Sequence, residues 1–235
     1  MKQPYTDQFN KEFLLQTMMG PNAMRVAEEM ASFLEIGKND RVLDLGCGMG
    51  ISSILLAEKC NANVVAADLW IDPTDNHRRF SSLGLDDQIF PVRADAQKGL
   101  PFAHGYFDIL FSVDSYHYYG NNEQMLPSLV PFVKKGGHIA VAVPGLKKDL
   151  LGAIPEELAP YWVDDMNFYT CDWWADLFSK TPAVKVEVCR EMDVCKQAWD
   201  EWLLCDNPYA KNDIDMMRAE GGNYFNLVQI IAKVL

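Results

Sequence analysis

The sequence predicts a single α/β domain built on a mostly parallel sheet. Short runs of apolar residues alternate along the chain with stretches whose apolar residues recur at helical spacing. The apolar runs lack a polar face, which is typical of parallel strands that helices cover on both sides. The chain has 235 residues, of which 49% are hydrophobic, and this is enough for one core of that kind.

The first 37 residues are predicted to form N-terminal capping helices. Proline is favoured at the first helical position, so Pro21 is predicted to begin a helix. Gly37 is predicted to cap the end of that helix. Apolar residues recur near helical spacing between these two positions: Met24, Ala27, Ala31 and Leu34.

The remaining residues, 38–235, are predicted to form the main domain. Strands are predicted at residues 41–45, 63–69, 89–94, 107–113, 138–143, 184–188 and 223–235. Helices are predicted at residues 51–60, 75–83, 121–133 and 193–206, and in a segment that Thr170 would cap. Residues 145–181 break the alternation with prolines, acids and many aromatic residues, and are predicted to be a helical insertion.

Charge and composition exclude several classes of protein. The formal net charge of −12 disfavours nucleic-acid binding and attraction to an anionic membrane. No apolar run approaches the roughly 18 residues of a membrane span, and the first ten residues lack the apolar core of a leader peptide. The six cysteines include no pair at zinc-finger spacing, so no metal site is expected. We expect a cytoplasmic protein with reduced thiols.

A glycine turn follows the first predicted strand, in the run Val42-Leu43-Asp44-Leu45-Gly46-Cys47-Gly48-Met49-Gly50. Glycines at such a turn let the backbone bend sharply and let a ligand approach closely. Asp68 ends the next strand, 22 residues after Gly46, where a carboxylate can accept hydrogen bonds from ribose hydroxyls. These features predict a nucleotide-like ligand at the ends of the strands.

A nicotinamide dinucleotide is the first alternative for this ligand. Its glycine fingerprint, GxGxxG, would require a third glycine at position 51. That residue is Ile51, and the third glycine of the run is Gly50. A tight turn without any ligand is the other alternative.

The run RVLDLGCGMG resembles the first motif of the class I S-adenosylmethionine (SAM)-dependent methyltransferases, and the resemblance extends over about residues 40–145. It implies a Rossmann-like α/β fold with a seven-stranded sheet, an antiparallel last strand and a helical cover over the site. It also implies SAM as the cofactor and S-adenosylhomocysteine (SAH) as its product. The post-strand run of residues 114–119 is similar to that of phosphoethanolamine N-methyltransferases, whose histidine would fall on Tyr118. The fold is shared with cyclopropane synthases of lipids.

The resemblance assigns cofactor contacts to residues at the strand ends. By it, the methionine end of SAM would lie against Asp44, Gly46, Cys47, Gly48 and Asp114, together with Ser115. Asp68 would hold the ribose, and Leu69 and Trp70 would lie beside the adenine. Asp95 would bond the adenine amino group and Ala96 would contribute backbone. Carboxylates suit the cations and hydroxyls of SAM, although each aspartate has the alternative of a helix cap or turn residue.

Candidate acceptor residues follow the fourth strand. His117 has a side chain suited to general-base catalysis near neutral pH, and Tyr118 or Tyr116 could orient an acceptor. The alternative for His117 is a packed histidine. Tyr5 could close over SAM, and Tyr161 and Trp162 could line the acceptor pocket, with ordinary hydrophobic packing as the alternative.

The sequence therefore predicts an enzyme that transfers a methyl group from SAM to a small-molecule acceptor, with nitrogen or oxygen favoured. No nucleic-acid or membrane partner is expected, and the protein would be a monomer or a homodimer. Three other functions stay open: a lipid cyclopropane-type synthase, a non-catalytic module that binds SAM or SAH, and an NAD-dependent dehydrogenase.

Overall fold

A seven-stranded sheet forms the centre of the computed structural model, which describes residues 3–163 and 165–235. The strands are β1 (Arg41–Leu45), β2 (Asn63–Asp68), β3 (Ile89–Arg93), β4 (Phe107–Val113), β5 (Val133–Leu146), β6 (Val184–Glu191) and β7 (Phe225–Val234). Their order in the sheet is β3-β2-β1-β4-β5-β7-β6. Strand β7 runs antiparallel to β5 and β6, and the other pairs are parallel. The predicted Rossmann-like α/β sheet with an antiparallel last strand is confirmed.

Helices cover both faces of the sheet. They are α1 (Tyr5–Gln8), α2 (Lys11–Thr17), α3 (Ala23–Ala31), α4 (Ile51–Cys60), α5 (Pro73–Ser82), α6 (Met125–Leu129), α7 (Cys171–Ser179), α8 (Cys195–Trp202) and α9 (Pro208–Glu220). One core cluster joins the sheet to α3, α4, α5, α8 and α9, and a second joins it to α6 and α7. No helix among the described residues has the length and apolar character needed to cross a bilayer.

The first predicted helix starts and ends elsewhere than expected. Helix α3 begins at Ala23, because the side chain of Asn22 accepts hydrogen bonds from the backbone N–H groups of Met24 and Arg25, at 3.0 and 3.3 Å. An asparagine at this position satisfies donors that the helix itself leaves free. The helix ends at Ala31, so the predicted roles of Pro21 and Gly37 as its first residue and its cap are wrong.

Two predicted helices differ in extent from the structure. The helix predicted at residues 121–133 is confined to α6, with a 3₁₀ turn at Val130–Phe132 after it. Pro131 lacks a backbone N–H and disfavours further helix, so the chain enters β5 at Val133. The helix predicted at residues 193–206 is the shorter α8, and α9 was not predicted.

Residues 145–181 do not form the predicted helical insertion over the site. Their described part contains one α-helix, α7, which Thr170 caps by accepting a hydrogen bond from the N–H of Trp173 at 3.3 Å. Helix α7 packs against β6 and β7, and Trp174 is fully buried there. This helix therefore completes the core of the sheet.

Candidate functional site

A cavity of about 370 Å³ lies at the carboxyl edge of the sheet, where β1, β2 and β4 end. Parallel strands bring the loops that follow them to one edge, which is where open α/β sheets bind ligands. Its walls come from Thr17, Met19, Gly20, Pro21 and Ala23, from residues in 45–52, from Ala67–Trp70 and Ala94–Gln97, and from Val113, Asp114, Ser115, Tyr118 and Tyr119. The N-terminal segment thus provides one wall of the cavity, and the strand ends provide the others.

The glycine turn forms the floor of this cavity. The backbone N–H groups of Gly46 and Cys47 both donate to the carbonyl of Ala67, at 2.8 and 3.1 Å, which ties the turn to the end of β2. Gly46 has a φ of +73°, and a β-carbon there would overlap the side chain of Ser115. A residue without a side chain is therefore required for the turn to meet the loop after β4.

Asp44 lies beneath the turn and does not line the cavity. Its Oδ2 accepts hydrogen bonds from the hydroxyls of Ser52 and Ser53, both at 2.6 Å. Its Oδ1 is buried without a hydrogen-bond partner, and burial raises the pKa of Asp44 to about 6. The structure therefore places Asp44 as an anchor between β1 and α4, away from the predicted contact with the methionine end of SAM.

Asp68 lines the cavity at the end of β2, as the sequence predicts. One carboxylate oxygen accepts from the N–H of Gly48 at 2.9 Å. The other accepts from the N–H groups of Trp70 and Ile71, at 2.8 and 2.9 Å. These three bonds fix the carboxylate in the lining of the cavity, at the position where a ribose is expected.

The predicted adenine contacts lie together on the next wall. Asp95 accepts from the N–H of Gln97 at 3.1 Å and pairs with Lys98 at 2.9 Å, and the bond from Lys98 lowers the pKa of Asp95. Ala96 lies beside it in the lining. Leu69 and Trp70 line the same wall and keep 46% and 64% of their surfaces exposed. This wall combines exposed apolar surface with a carboxylate, which suits a flat heterocyclic base.

Asp114 lines the cavity just beyond the end of β4. It has a φ of +52°, and its carboxyl group contacts Gly20 of the N-terminal wall so closely that a β-carbon at position 20 would overlap it. Burial raises the pKa of Asp114 to about 8, and the charge of Asp213 adds to that rise. Asp213 belongs to α9, where it accepts from the indole N–H of Trp202 at 2.6 Å. Helix α9 therefore brings a second carboxyl group to this end.

His117 lies behind the cavity, and Tyr118 lines it. The imidazole of His117 is 5% exposed, and its ring centre is 4.2 Å from that of Tyr118. Its Nδ1 has no hydrogen-bond partner and lies 4.0 Å from Oδ1 of Asp114. Burial lowers the pKa of His117 to about 4, so the ring is neutral at pH 7. Tyr118 is 55% exposed and packs edge-on against Trp70, with ring centres 5.3 Å apart.

The structure does not place the predicted acceptor residue Tyr116 in the cavity. Its side chain is 1% exposed and packs against Tyr119, Trp174 and Phe178, with ring centres 5.4 to 6.1 Å apart. Tyr116 belongs to the second core cluster. Tyr119, at the end of the same turn, lines the cavity instead.

Three further predicted contacts also lie elsewhere. The hydroxyl of Tyr5 bonds Glu58 on the outside of α4, and its backbone N–H donates to Glu28 at 2.7 Å. Tyr161 and Trp162 pack on the first core cluster, where Trp162 meets Phe168 at 6.4 Å between ring centres. Hydrophobic packing therefore accounts for these three side chains.

Several residues of the cavity were not predicted from the sequence. Gly20, Gln97 and Tyr119 line it, and Asp213 acts on it from α9. For Asp213 a signal was present, since Asn207 caps α9, Pro208 starts it and Gly221 ends it. These are the ordinary start and stop residues of a helix.

Comparisons with known proteins agree with this fold. A family model described as methyltransferase domain matches residues 42–137. Methyltransferase GfsG of Streptomyces halstedii is 30% identical over 136 residues, covering 56% of this chain and 49% of that protein. The glycine/sarcosine/dimethylglycine N-methyltransferase of Actinopolyspora halophila is 25% identical over 149 residues, covering 62% of this chain and 26% of that protein. The chain thus spans about half or less of the length of these relatives.

Solved structures share the fold at low sequence identity. Geranyl diphosphate C-methyltransferase from Streptomyces coelicolor A3(2), solved with SAH, has a TM-score of 0.68 at 15% identity, covering 98% of this chain and 80% of that one. Phosphoethanolamine N-methyltransferase 2 of Haemonchus contortus, solved with SAM, has a TM-score of 0.72 at 16% identity, covering 95% and 56%. The [4+2]-cyclase SpnF has a TM-score of 0.71 at 13% identity, covering 90% and 80%. The methyltransferase-domain model thus matches residues 42–137, and the described chain shares its fold with these solved methyltransferases.

Proposed function

We propose that the cavity binds SAM and that the protein transfers the methyl group of SAM to a nitrogen or oxygen atom of a small molecule. The observation that carries this proposal is the joining of the glycine turn to Asp68, whose carboxylate accepts the Gly48 N–H at 2.9 Å beside the cavity. A ligand there meets bare backbone at the turn and a fixed carboxylate at the end of β2. These are the contacts that a methionine-bearing nucleoside needs.

The lining fits SAM along its whole length. Asp68 would hold the ribose hydroxyls, and Leu69 and Trp70 would flank the adenine, with Asp95 and Ala96 at its edge. Gly46, Cys47 and Gly48 would take the methionine portion, because they line the cavity at the glycine turn. Asp114 faces the same portion from the end of β4.

The acceptor would enter at the end of the cavity that Tyr118 and Asp114 form. When bound, SAM supplies a methyl carbon activated by a sulfonium; the protein must align the acceptor and exclude water. Tyr118 is the exposed aromatic side chain at that end, and it can orient the acceptor directly. His117 would act as a proton acceptor or as the group that supports Tyr118.

Other functions remain candidates because the fold alone does not fix the reaction. The [4+2]-cyclase SpnF has a similar fold, so this fold also occurs in a protein named for a reaction other than methyl transfer. A module that binds SAM without turnover is the alternative to be tested. A cyclopropane-type synthase needs contact with lipid, which the net charge of −12 disfavours. A dehydrogenase needs NAD, and NAD serves below as the control ligand.

The first experiment compares thermal unfolding with SAH, with NAD and without ligand. A ligand at 100 times its Kd stabilises a protein by about 2.7 kcal/mol. For a chain of this size, that should raise the Tm by about 5–10 °C. A rise with SAH alone supports the proposal. A rise with NAD alone, or no rise, contradicts it.

The second experiment tests the ribose contact with a matched pair of variants. Asp68→Asn should weaken SAH binding by about tenfold or more, because the amide offers one accepting oxygen where the carboxylate offers two. Asp72→Asn is the control: Asp72 is an exposed N-cap residue outside the cavity lining, and asparagine caps equally well. SAH titrations of both variants measure the difference. Equal SAH affinities of the two variants would show that Asp68 does not contact the ligand. A separate assay of SAM turnover in the presence of a metabolite extract distinguishes an enzyme from a protein that only binds SAM.

A further inference from the structure

Carboxyl groups lie near the Tyr118 end of the cavity, and the described part of the chain gives them no lysine or arginine partner. Asp114 lines the cavity there, and the charges of Asp114, Asp165 and Asp213 all contribute to raising the pKa of Tyr118 to about 12, after the larger effect of burial. Among residues 3–163 and 165–235, no lysine or arginine forms an ion pair with any of these three aspartates. We call Asp114, His117, Tyr118 and Asp213 the acidic end.

His117 does not neutralise the acidic end. It is 5% exposed, and its burial keeps the imidazole neutral at pH 7. Its Nδ1 is buried without a hydrogen-bond partner and faces Oδ1 of Asp114 across 4.0 Å, which is too far for a hydrogen bond. Asp114 therefore receives no hydrogen bond from His117, and its carboxyl group stays available to a ligand in the cavity.

The aromatic surface at the same place also favours a cation. Tyr118 is 55% exposed and lines the cavity, and Trp70 packs edge-on against it with ring centres 5.3 Å apart. The face of an aromatic ring attracts ammonium groups, and the attraction grows where water is excluded. Carboxyl groups and an exposed ring therefore meet on one wall.

SAH brings no net positive charge to this end of the cavity, whereas SAM brings only the sulfonium that is consumed in methyl transfer. The methionine portion carries one ammonium and one carboxylate, so its net charge is zero in SAH. Once SAH is bound, the acidic end still holds at least two carboxyl groups, Asp114 and Asp213, that interact with each other. An acceptor that carries a phosphate or carboxylate would add repulsion, whereas an ammonium group would remove it.

We infer that the acidic end holds the ammonium group of a cationic amine acceptor, with Asp114 as its ion partner and the Tyr118 ring against it. The bound ammonium passes one proton to the Asp114 carboxylate, and the freed nitrogen lone pair then attacks the methyl carbon of SAM as the bond from that carbon to sulfur breaks, which leaves SAH. The inference rests on the proposed binding of SAM in the same cavity. Asp213 does not line the cavity and acts on Asp114 only through its charge. The acceptor class is thus a primary or secondary amine that lacks a neighbouring anionic group.

The test measures binding to the SAH-saturated protein by calorimetry. The probes are three matched series: ethylamine, butylamine and phenethylamine, each compared with the alcohol and the carboxylate of the same skeleton. We expect at least one amine to bind about tenfold or more tightly than its alcohol, because an ion pair replaces a neutral contact. The corresponding carboxylate should bind more weakly than the alcohol.

Two variants give the test its control. Asp114→Asn should abolish the preference for amines, and it keeps the fold because asparagine tolerates the left-handed backbone at this position. Asp215→Asn removes the same charge from an exposed position on α9, where Asp215 pairs with Arg218, and should keep the preference within about twofold.

The outcomes separate the two proposals. SAH binding without a preference of any amine over its alcohol, or an equal loss in both variants, would overturn the inference and leave SAM binding intact. Failure of SAH to bind would overturn the proposed function itself. An amine preference in the wild type that Asp114→Asn removes and Asp215→Asn retains supports the inference.

Discussion

Gly46 and Ser115 lie in contact, so that a β-carbon at position 46 would overlap the side-chain oxygen and carbon of Ser115. This contact joins the turn after β1 to the loop after β4, and the cavity lies over it. We expect Gly46→Ala to destabilise the protein by about 2–4 kcal/mol, through backbone strain together with overlap. SAH affinity should fall at least about tenfold, because the floor of the cavity must shift.

A matched control and a rescue follow from the same geometry. Gly84 has a φ of +70°, close to the +73° of Gly46, but no atom lies within 4 Å of the place that a β-carbon would take there. Gly84→Ala should therefore cost only the strain, about 1 kcal/mol. Adding Ser115→Gly to Gly46→Ala should recover part of the stability. Urea unfolding measures these differences, and equal costs for the two alanine variants would refute overlap as the cause.

Substitution of Tyr116 should mainly lower stability, whereas substitution of Tyr118 should mainly weaken acceptor binding. Tyr116→Ala should cost about 3–5 kcal/mol of stability, since the ring is buried in the second core cluster. Tyr118→Ala should change stability by about 1 kcal/mol or less, because its ring is half exposed, while acceptor binding weakens. Urea unfolding and acceptor titration distinguish the two. If Tyr116→Phe keeps its stability but loses turnover, Tyr116 takes part in the site after all.

The pKa of His117 predicts the pH at which activity falls on the acid side of the pH–rate profile. If the neutral imidazole accepts a proton, activity falls when the ring becomes charged, and the pKa of about 4 for His117 places this fall near pH 4, below the ordinary value of 6.5. His117→Phe should remove the limb and lower turnover by about tenfold or more, with SAH affinity changed by less than about threefold. The pH profile of kcat/KM decides; full activity in this variant would assign His117 to packing.

The raised pKa of Asp114 predicts how the free energy of unfolding of the ligand-free protein depends on pH. Its folded pKa of about 8 lies above the unfolded value near 3.8, so the folded state binds the extra proton and loses stability as pH rises between these values. Asp114→Asn removes that loss. We expect its stability relative to wild type to increase by at least about 1 kcal/mol from pH 5 to pH 8. The exposed control Asp215→Asn should show no such trend in urea unfolding, and a flat difference for Asp114→Asn would contradict a raised pKa.

Much of the sheet could be predicted because its strands have a distinctive apolar pattern. Strands β1 and β4 and helix α4 have the predicted bounds, since a short run that is apolar on both faces is typical of a covered strand. The predicted helix at 121–133 is longer than α6 because Pro131 disfavours continuation of the helix, although the apolar pattern runs past it. Helix α9 was missed, although Asn207 and Gly221 mark its ends.

The cofactor side of the cavity was more predictable than the acceptor side. Residues such as Asp68 sit directly at strand ends, where the direction of the chain is fixed by the sheet. Tyr116, His117 and Tyr118 lie on a 3₁₀ turn, where neighbouring side chains point in different directions. Which of them faces the cavity depends on α7 and α9, and no local pattern contains that information.

The left-handed backbone of Asp114 limits which residues can stand at this position. Glycine, asparagine and aspartate adopt such a conformation at little cost, and branched or bulky residues do not. A single substitution of Asp114 by asparagine or glycine would therefore replace the carboxyl group with a neutral amide, or remove the side chain, and leave the chain path unchanged. If the proposed amine binding holds, proteins that share this fold would then differ in which charge they accept at this end of the cavity.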